Sequence, residues 1–235
     1  MKRYFLIVAG ILFTFSSQAQ DIFQNHKFRI GLSVTPFYSY RNIKAPDSFQ
    51  SVVDEVNSID KAKIGYSTSL NLLFAIQKRI TVETGVWFMD RGYKNRVSIT
   101  TVNSPSPSIG TAKYRYHYNY VGIPLKVNLY LVNRKVRLFV SGGINSSMLV
   151  ASFQNVNLQY DDGRSVKERV KGNLDNTYLI LSAVAGVGLD IQLVKRLSLR
   201  FEPMFSYGFY NSQDSNIHYL PYEIGGTIGL HLGFK

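Results

Sequence analysis

The feature that most constrains this chain is a strict two-residue alternation of apolar and polar side chains, repeated in long runs from residue 27 onward. In residues 28–35, for example, Phe, Ile, Leu and Val alternate with Arg, Gly, Ser and Thr. Successive side chains of a β-strand point to opposite faces, so this pattern predicts strands with one apolar and one polar face. Counting all such runs gives eight predicted strands, and the fold class is therefore all-β.

One segment, residues 178–194, is apolar enough to suggest a membrane helix instead. Its polar and glycine residues after Tyr178 all occupy even positions, namely Ser182, Gly186, Gly188, Asp190 and Gln192. An acidic residue near the end of a helical span would also be costly. The alternation therefore favours a strand here as well.

The connections between the predicted strands alternate between short and long. The short ones are basic and lie at residues 78–79, 133–135 and 194–196; the long ones are polar and lie at residues 41–62, 94–113, 153–176 and 211–221. Strands of about 9–11 residues cross a bilayer when tilted. Membrane barrels have short periplasmic turns and long extracellular loops. The pattern predicts an eight-stranded antiparallel up-and-down transmembrane β-barrel.

The first part of the chain, residues 1–19, predicts a cleaved signal peptide, and residues 20–235 are predicted to form one outer-membrane β-barrel domain. Two basic residues precede a twelve-residue apolar run, and small residues stand at positions −3 and −1, Ser17 and Ala19, if cleavage falls after Ala19. The run is shorter than the ~20 residues that a spanning helix needs, so a membrane anchor is the weaker alternative. We expect Sec-dependent export and an outer-membrane location in a Gram-negative cell.

The composition excludes several classes of function. The chain has no Cys, which excludes disulfides, thiolate metal sites and cysteine nucleophiles. Its formal net charge is +12, but an exported protein does not meet DNA or RNA, so no nucleic-acid partner is expected. The four His residues lack the spacing of metal ligands, and the paired Gly residues lack the strand–loop–helix context of phosphate loops. We expect no metal and no cofactor.

Four segments carry a resemblance to a known family. Residues 120–127 have the sequence Tyr-Val-Gly-Ile-Pro-Leu-Lys-Val, which is similar to a Tyr-Leu-Glu-Ile-Pro-Leu signature. Residues 87–93 are similar to a strand end of the same family, and residues 185–190 and 229–235 are similar to its sixth and last strands. The family is the outer-membrane β-barrel domain family common in Bacteroidota, described as PorT-like or "porin family". The resemblance implies a barrel in the outer membrane and no particular activity. Gly122 replaces the signature's Glu, so no role of that carboxylate transfers to this chain.

Charged residues on the polar faces form the candidate site. Eight of them lie within about six residues of a short turn or a chain end. An eight-stranded barrel is only wide enough for side chains to fill. We therefore expect one layer of ion pairs and hydrogen bonds in the periplasmic half of the lumen. The expected lumen charge network is Arg29, Glu83, Lys126, Arg137, Asp190, Arg200, Glu202 and His231.

Four alternating tyrosines, Tyr114, Tyr116, Tyr118 and Tyr120, stand on even positions, whereas the apolar residues after them stand on odd positions. We interpret this as a one-residue phase change, which implies either a bulge near Gly122 or a strand that leaves the bilayer at its tyrosine-rich end. The tyrosines are then predicted to form an aromatic girdle and a strand extension. A carbohydrate-stacking surface is the alternative.

Two of the long connections have structure of their own. In residues 41–62, Phe49, Val52, Val53 and Val56 follow helical spacing, which predicts a short helix. In residues 153–176, an Asp-Gly pair between alternating segments predicts a β-hairpin that rises above the membrane.

Together these expectations favour a non-enzymatic, monomeric outer-membrane barrel with a filled lumen. Its role is expected to be structural or surface recognition through four long extracellular loops. The expected partners are outer-membrane lipid around the wall and an extracellular or envelope protein at the loops. Three alternatives stay open: a lipid-modifying barrel enzyme in which Ser146 or Ser206 meets His117, a small-solute channel, and a soluble periplasmic carrier.

Overall fold

The structure, a computed structural model, describes residues 27–98, 109–132, 135–172, 179–212 and 218–234. The predicted signal peptide, most of the Ser-Pro connection and the predicted turn residues 133–134 lie outside the described residues. Ten strand segments are present: β1 Phe28–Lys44, β2 Asp60–Gln77, β3 Ile80–Arg91, β4 Tyr93–Ser98, β5 Ile109–Tyr130, β6 Val136–Tyr160, β7 Ser165–Lys171, β8 Leu179–Val194, β9 Leu197–Asn211 and β10 His218–Phe234. A 3₁₀ turn, Asp47–Phe49, leads into helix α1, Gln50–Ile59.

The strands close into a ring of eight. Going round it, β1 pairs with β2, then come β3, β5, β6, β8, β9 and β10, and β10 pairs back with β1; every pairing is antiparallel. At the closure Phe28, at the start of β1, pairs with Phe234, at the end of β10. The predicted count of eight is therefore confirmed for the ring. Among the described residues no helix is both long and apolar enough to cross a bilayer.

Two of the ten segments do not add to the ring. β3 and β4 are two halves of one wall strand, because both lie between β2 and β5. They meet at Gly92, whose φ is +149° and whose missing Cβ would lie 2.1 Å from the carbonyl oxygen of Tyr116. Only glycine fits such a close backbone approach. The other extra segment, β7, forms a hairpin with the far end of β6.

The outer wall is predominantly apolar over the part that spans the bilayer. Leu32, Ile64 and Ile123 are 68%, 67% and 62% exposed, which is the exposure of lipid-facing rather than core side chains. On β1 the outward residues run from Phe28 to Tyr40. At ~3.3 Å per residue and a tilt of ~45° these twelve steps climb about 28 Å, close to the ~25 Å apolar band of an outer-membrane barrel.

The two ends of the ring differ as predicted. At the short-turn end, residues 78–79 and 195–196 are two-residue turns. At the long-loop end, the predicted helix is present as α1, with Val53 buried. The predicted hairpin is also confirmed: β6 and β7 join at residues 161–164, where Gly163 has a φ of +86°. In this turn Asp162 accepts the backbone N–H of Arg164 at 3.0 Å, which lowers the pKa of Asp162.

Candidate functional site

The short-turn half of the lumen is filled by charged side chains centred on Asp190. Its fully buried carboxylate accepts hydrogen bonds from Arg29 Nη1 at 2.8 Å, Arg137 Nη2 at 2.9 Å and the Tyr130 hydroxyl at 3.1 Å. The guanidinium of Arg200 lies 3.6 Å away. One carboxylate therefore balances three guanidinium groups that reach it from three other strands.

A second part of the same layer surrounds Glu83 and Glu202. Arg200 Nη1 donates to Glu83 Oε2 at 2.6 Å, and Lys126 Nζ donates to Glu202 Oε1 at 2.8 Å. Lys126 also lies 3.5 Å from Glu83, so the two pairs are connected. Asn128 donates to Glu83 at 2.9 Å. Arg200 joins both parts into one network across the barrel.

The structure thus brings the sequence-predicted residues together in one layer. Seven of the eight form continuous ion pairs; the eighth, His231, is fully buried beside Gly31, and its ring nitrogens have no hydrogen-bond partner among the described residues. Sequence reasoning missed Tyr130, whose hydroxyl accepts from Arg29 and Arg200, each at 3.0 Å. Tyr130 has an even position on β5, as Lys126 does, and this shared parity could have placed Tyr130 in the lumen.

The middle of the lumen is apolar, which the simple polar-inside expectation did not foresee. The packed cluster there consists of Trp87, Met89, Tyr120, Leu149, Ile180 and Val184. Beside it is a cavity of about 10 Å³, room for about one water molecule. The indole N–H of Trp87 donates to Asn71 Oδ1 at 3.2 Å, so the large ring carries no unsatisfied donor.

Further charged pairs close the long-loop half of the lumen, and sequence reasoning missed them. Arg91 Nε lies 2.7 Å from Glu223 Oε1, and Arg41 pairs with Asp60. Arg91 and Glu223 stand on the same odd positions as Glu83 and His231 of their strands, so strand parity alone could have found them.

The tyrosine ladder of β5 lies on the lumen-facing side, so the predicted girdle position is wrong, whereas the predicted strand extension is present because β5 continues from Tyr130 back to Ile109. Tyr120 is buried in the lumen cluster, and Tyr116 stacks on Tyr93 at 4.5 Å between ring centroids. The predicted phase change near Gly122 is also wrong, because Tyr120, Lys126 and Tyr130 all stay on the buried face of β5. The irregularity is instead in β6, where Asn119 and Tyr120 pair with Ala151 and Leu149 and one residue bulges between them.

A small polar cluster lies where β3 approaches its bend. His117 Nδ1 is 3.0 Å from the carboxylate of Asp90 and 2.8 Å from Lys63 Nζ, and its ring stacks on Phe153 at 4.5 Å. His117 Nε2 is 3.3 Å from Asn155 Nδ2. Within the described residues, neither Ser146 nor Ser206 is a hydrogen-bond partner of His117.

A closed antiparallel ring with an apolar outer wall and a lumen filled by ion pairs defines a class, the outer-membrane β-barrel proteins. The sequence model of the outer membrane protein beta-barrel domain family matches residues 9–235. The chain belongs to this family, and its location is the outer membrane.

The chain is also similar to several solved structures at low sequence identity. Neisserial surface protein A is 12% identical, with 88% of this chain and 97% of that chain covered and a TM-score of 0.43. The outer membrane protease OmpT from Escherichia coli is 9% identical, with 88% and 96% covered and a TM-score of 0.45. A major outer membrane protein from Thermus thermophilus is 11% identical, with 89% and 100% covered and a TM-score of 0.44. The comparison with curated protein sequences gives no match.

Proposed function

We propose that this protein is a monomeric outer-membrane barrel with a plugged lumen, whose role is structural or recognition-based rather than transport or catalysis. One observation carries the proposal: all eight residues of the charge network that fills the short-turn half of the lumen are buried, at most 6% exposed. Five of them are at most 1% exposed, namely Lys126, Asp190, Arg200, Glu202 and His231. A solute would have to separate buried ion pairs to pass, and the desolvation cost of unpaired charges opposes this.

The test of the plug is electrical. Purified protein reconstituted into a planar lipid bilayer should give no stable conductance, with a porin in the same bilayers as the positive control. Open-channel steps of porin size would refute the plug and favour the small-solute channel.

Recognition is assigned to the long-loop end, which faces outward in this proposal. Strands β5 and β6 have 22 and 25 residues, about twice what a bilayer requires, so their far ends extend beyond the hydrocarbon core together with β4 and β7. An extracellular or envelope protein is the expected partner there, and outer-membrane lipid surrounds the wall. Replacing residues 155–169 by a short turn should leave the barrel assembled, seen as faster gel migration when unheated, and should abolish partner binding.

We also propose that the protein has no catalytic activity. The imidazole of His117 is held by Asp90, Lys63 and Phe153 rather than by a hydroxyl that it could activate. Incubation with radiolabelled outer-membrane lipid should give no deacylated or acyl-transferred product. Turnover that disappears in His117→Ala would support the lipid-modifying enzyme instead.

Two further assignments, the subgroup of the family and the signal peptide, are proposed from the sequence. The PorT-like barrels of Bacteroidota are the proposed subgroup, supported by the resemblance of residues 120–127. A cleaved Sec signal over residues 1–19 is proposed from its basic, apolar and small-residue regions. Mass spectrometry of the membrane-inserted protein should then find Gln20 as the first residue.

A further inference from the structure

A second concentration of charge lies outside the lumen, at the long-loop end. Seven cations and one carboxylate, Glu168, line a groove of about 720 Å³ together with Asn and Tyr side chains. We call the surface formed by these cations the basic face: Lys61, Lys94, Arg96, Lys113, Arg115, Lys167 and Arg169.

Strand register arranges the basic face in two rows. In the first row the residues pair directly from strand to strand across β2, β4, β5, β6 and β7, in the order Lys61, Lys94, Arg115, Asn155 and Arg169. The second row lies two residues further on and crosses four strands in the order Arg96, Lys113, Asn157 and Lys167. Because side chains alternate along a strand, both rows lie on one face of the sheet.

That face is the outward continuation of the lipid-facing wall. β5 keeps one register against β3 and β4 throughout: Val121 pairs with Phe88, and Arg115 pairs with Lys94. Val121 is an exposed wall residue, and Arg115 stands six positions from it, on the same side of the strand. Arg115 lies two residues, about 5 Å of height, beyond His117 and the ring of Phe153. Headgroups occupy about 5–8 Å beyond the hydrocarbon on each side of a bilayer.

The rows place like charges directly opposite one another. Lys94 faces both Lys61 and Arg115, and Arg96 faces Lys113. Directly opposed like charges destabilise a sheet. In the described part of the chain none of the seven cations has an acidic partner within 4 Å, whereas the lumen cations are paired. The repulsion is relieved if an anion from outside the protein lies between the rows.

We propose that the basic face binds the phosphate groups of the outer-leaflet glycolipid. Arg and Lys form charge-assisted hydrogen bonds with phosphate, and Arg does so with two parallel donors. Five strands at ~4.8 Å spacing make the first row about 19 Å wide, broad enough for a headgroup with more than one phosphate. The face points sideways over the bilayer, which favours a membrane lipid over a soluble polysaccharide. The inference rests on the proposed outward orientation of the long-loop end.

The experiment measures binding of bisphosphorylated lipid A to the full-length protein in non-ionic detergent by native mass spectrometry. Dephosphorylated lipid A is the ligand control. The test variant combines Lys94→Gln, Arg96→Gln, Lys113→Gln and Arg115→Gln. The control variant makes the same charge change at the short-turn end with Lys78→Gln, Arg79→Gln, Lys195→Gln and Arg196→Gln. Faster gel migration of unheated samples verifies that both variants are folded.

The affinity of the test variant for bisphosphorylated lipid A should fall at least about tenfold, since one cation near an anionic surface contributes up to about fivefold. The control variant should stay within about twofold of the unmodified protein. If the fourfold variant fails to fold, Lys94→Gln with Arg115→Gln should lose about threefold.

Equal loss in both variants, no loss, or equal binding of dephosphorylated lipid A would overturn the proposal. Tighter binding of soluble dextran sulfate than of lipid A would assign the face to acidic polysaccharides and would also overturn it. Because detergent exposes both ends of the barrel, these results do not depend on orientation, which protease accessibility on whole cells tests separately.

Discussion

Replacing Asp190 by Asn keeps the shape of the side chain and removes the negative charge that three guanidinium groups share. Arg29 and Arg137 lie 2.8 and 2.9 Å from its carboxylate, and Arg200 lies 3.6 Å from it. All four side chains are at most 7% exposed, so water cannot solvate the guanidinium groups in place of the lost carboxylate. The substitution should therefore destabilise the barrel strongly.

The size of the effect follows from the charge balance of the layer. Its four cations, Arg29, Lys126, Arg137 and Arg200, face three carboxylates, so Asp190→Asn raises the net charge of the layer from +1 to +2. At an effective dielectric constant of ~20, one pair 4 Å apart contributes about 4 kcal/mol. Removing one partner of a buried pair costs about 3–5 kcal/mol. We expect the free energy of unfolding to fall by about 3–5 kcal/mol.

The assay is urea unfolding of the refolded protein in detergent, followed by tryptophan fluorescence. The chain has one Trp, and Trp87 is buried in the lumen cluster, so its emission reports on loss of the packed interior. Asp162→Asn is the matched control: the chemical change is the same, but the carboxylate of Asp162 accepts its hydrogen bonds from Arg164, two residues on, within an exposed hairpin turn. The control should show no measurable change in the unfolding midpoint.

A double-mutant cycle isolates the pair. If the destabilisation comes from an uncompensated guanidinium, adding Arg137→Gln to Asp190→Asn should restore part of the lost free energy, because the second substitution removes one of the three unbalanced charges. A loss below about 1 kcal/mol for Asp190→Asn, or strictly additive single effects, would refute the reasoning.

Two further predictions concern the wall and its orientation. Gly92→Ala should lower the free energy of unfolding by about 1–3 kcal/mol, because its φ is +149° and the new Cβ would lie 2.1 Å from the Tyr116 oxygen. Gly142→Ala, with no atom within 4 Å of its added Cβ, should change stability by less than about 1 kcal/mol, and similar losses at both sites would contradict this account. Protease added to whole cells should cut first at the long-loop end, within residues 161–164; cuts confined to the turns at residues 78–79 and 195–196 would invert the topology.

The lumen layer shows how much can be predicted from strand parity, that is, from whether a residue has an odd or an even position along its strand. Residues on the polar face near a short turn had to meet, because the barrel is narrow and its strands end at a common height, and the predicted eight do meet. Parity also places the apolar Leu149, Ile180 and Val184 on the inward face, but the expectation of a polar lumen did not foresee that they pack into an apolar cluster there. A lumen accepts either type of side chain wherever packing is complete, so alternation is a weaker rule inside the barrel than on its lipid face.

The tyrosine ladder shows the opposite error. Even-numbered tyrosines beside odd-numbered aliphatic residues were interpreted as a phase change, because tyrosine was counted as a lipid-facing residue. In the structure the alternation continues unbroken, and the aromatic rings fill the lumen end against Tyr93. Aromatic side chains fit both a membrane interface and a crowded interior, so residue type alone does not assign the face.

The sequence by itself determined that the chain forms long amphipathic strands, that eight of them close a ring, and that one end has tight turns and the other long connections. Each of these follows from local periodicity and spacing, which require no knowledge of what lies across the barrel. Only the tertiary structure decided which groups pair: Asp190 and Arg29 are 161 positions apart in the chain and meet through the closure of the ring. Likewise the rows of the basic face exist only in the register between strands, because cations that are far apart in sequence become neighbours only when five strands align.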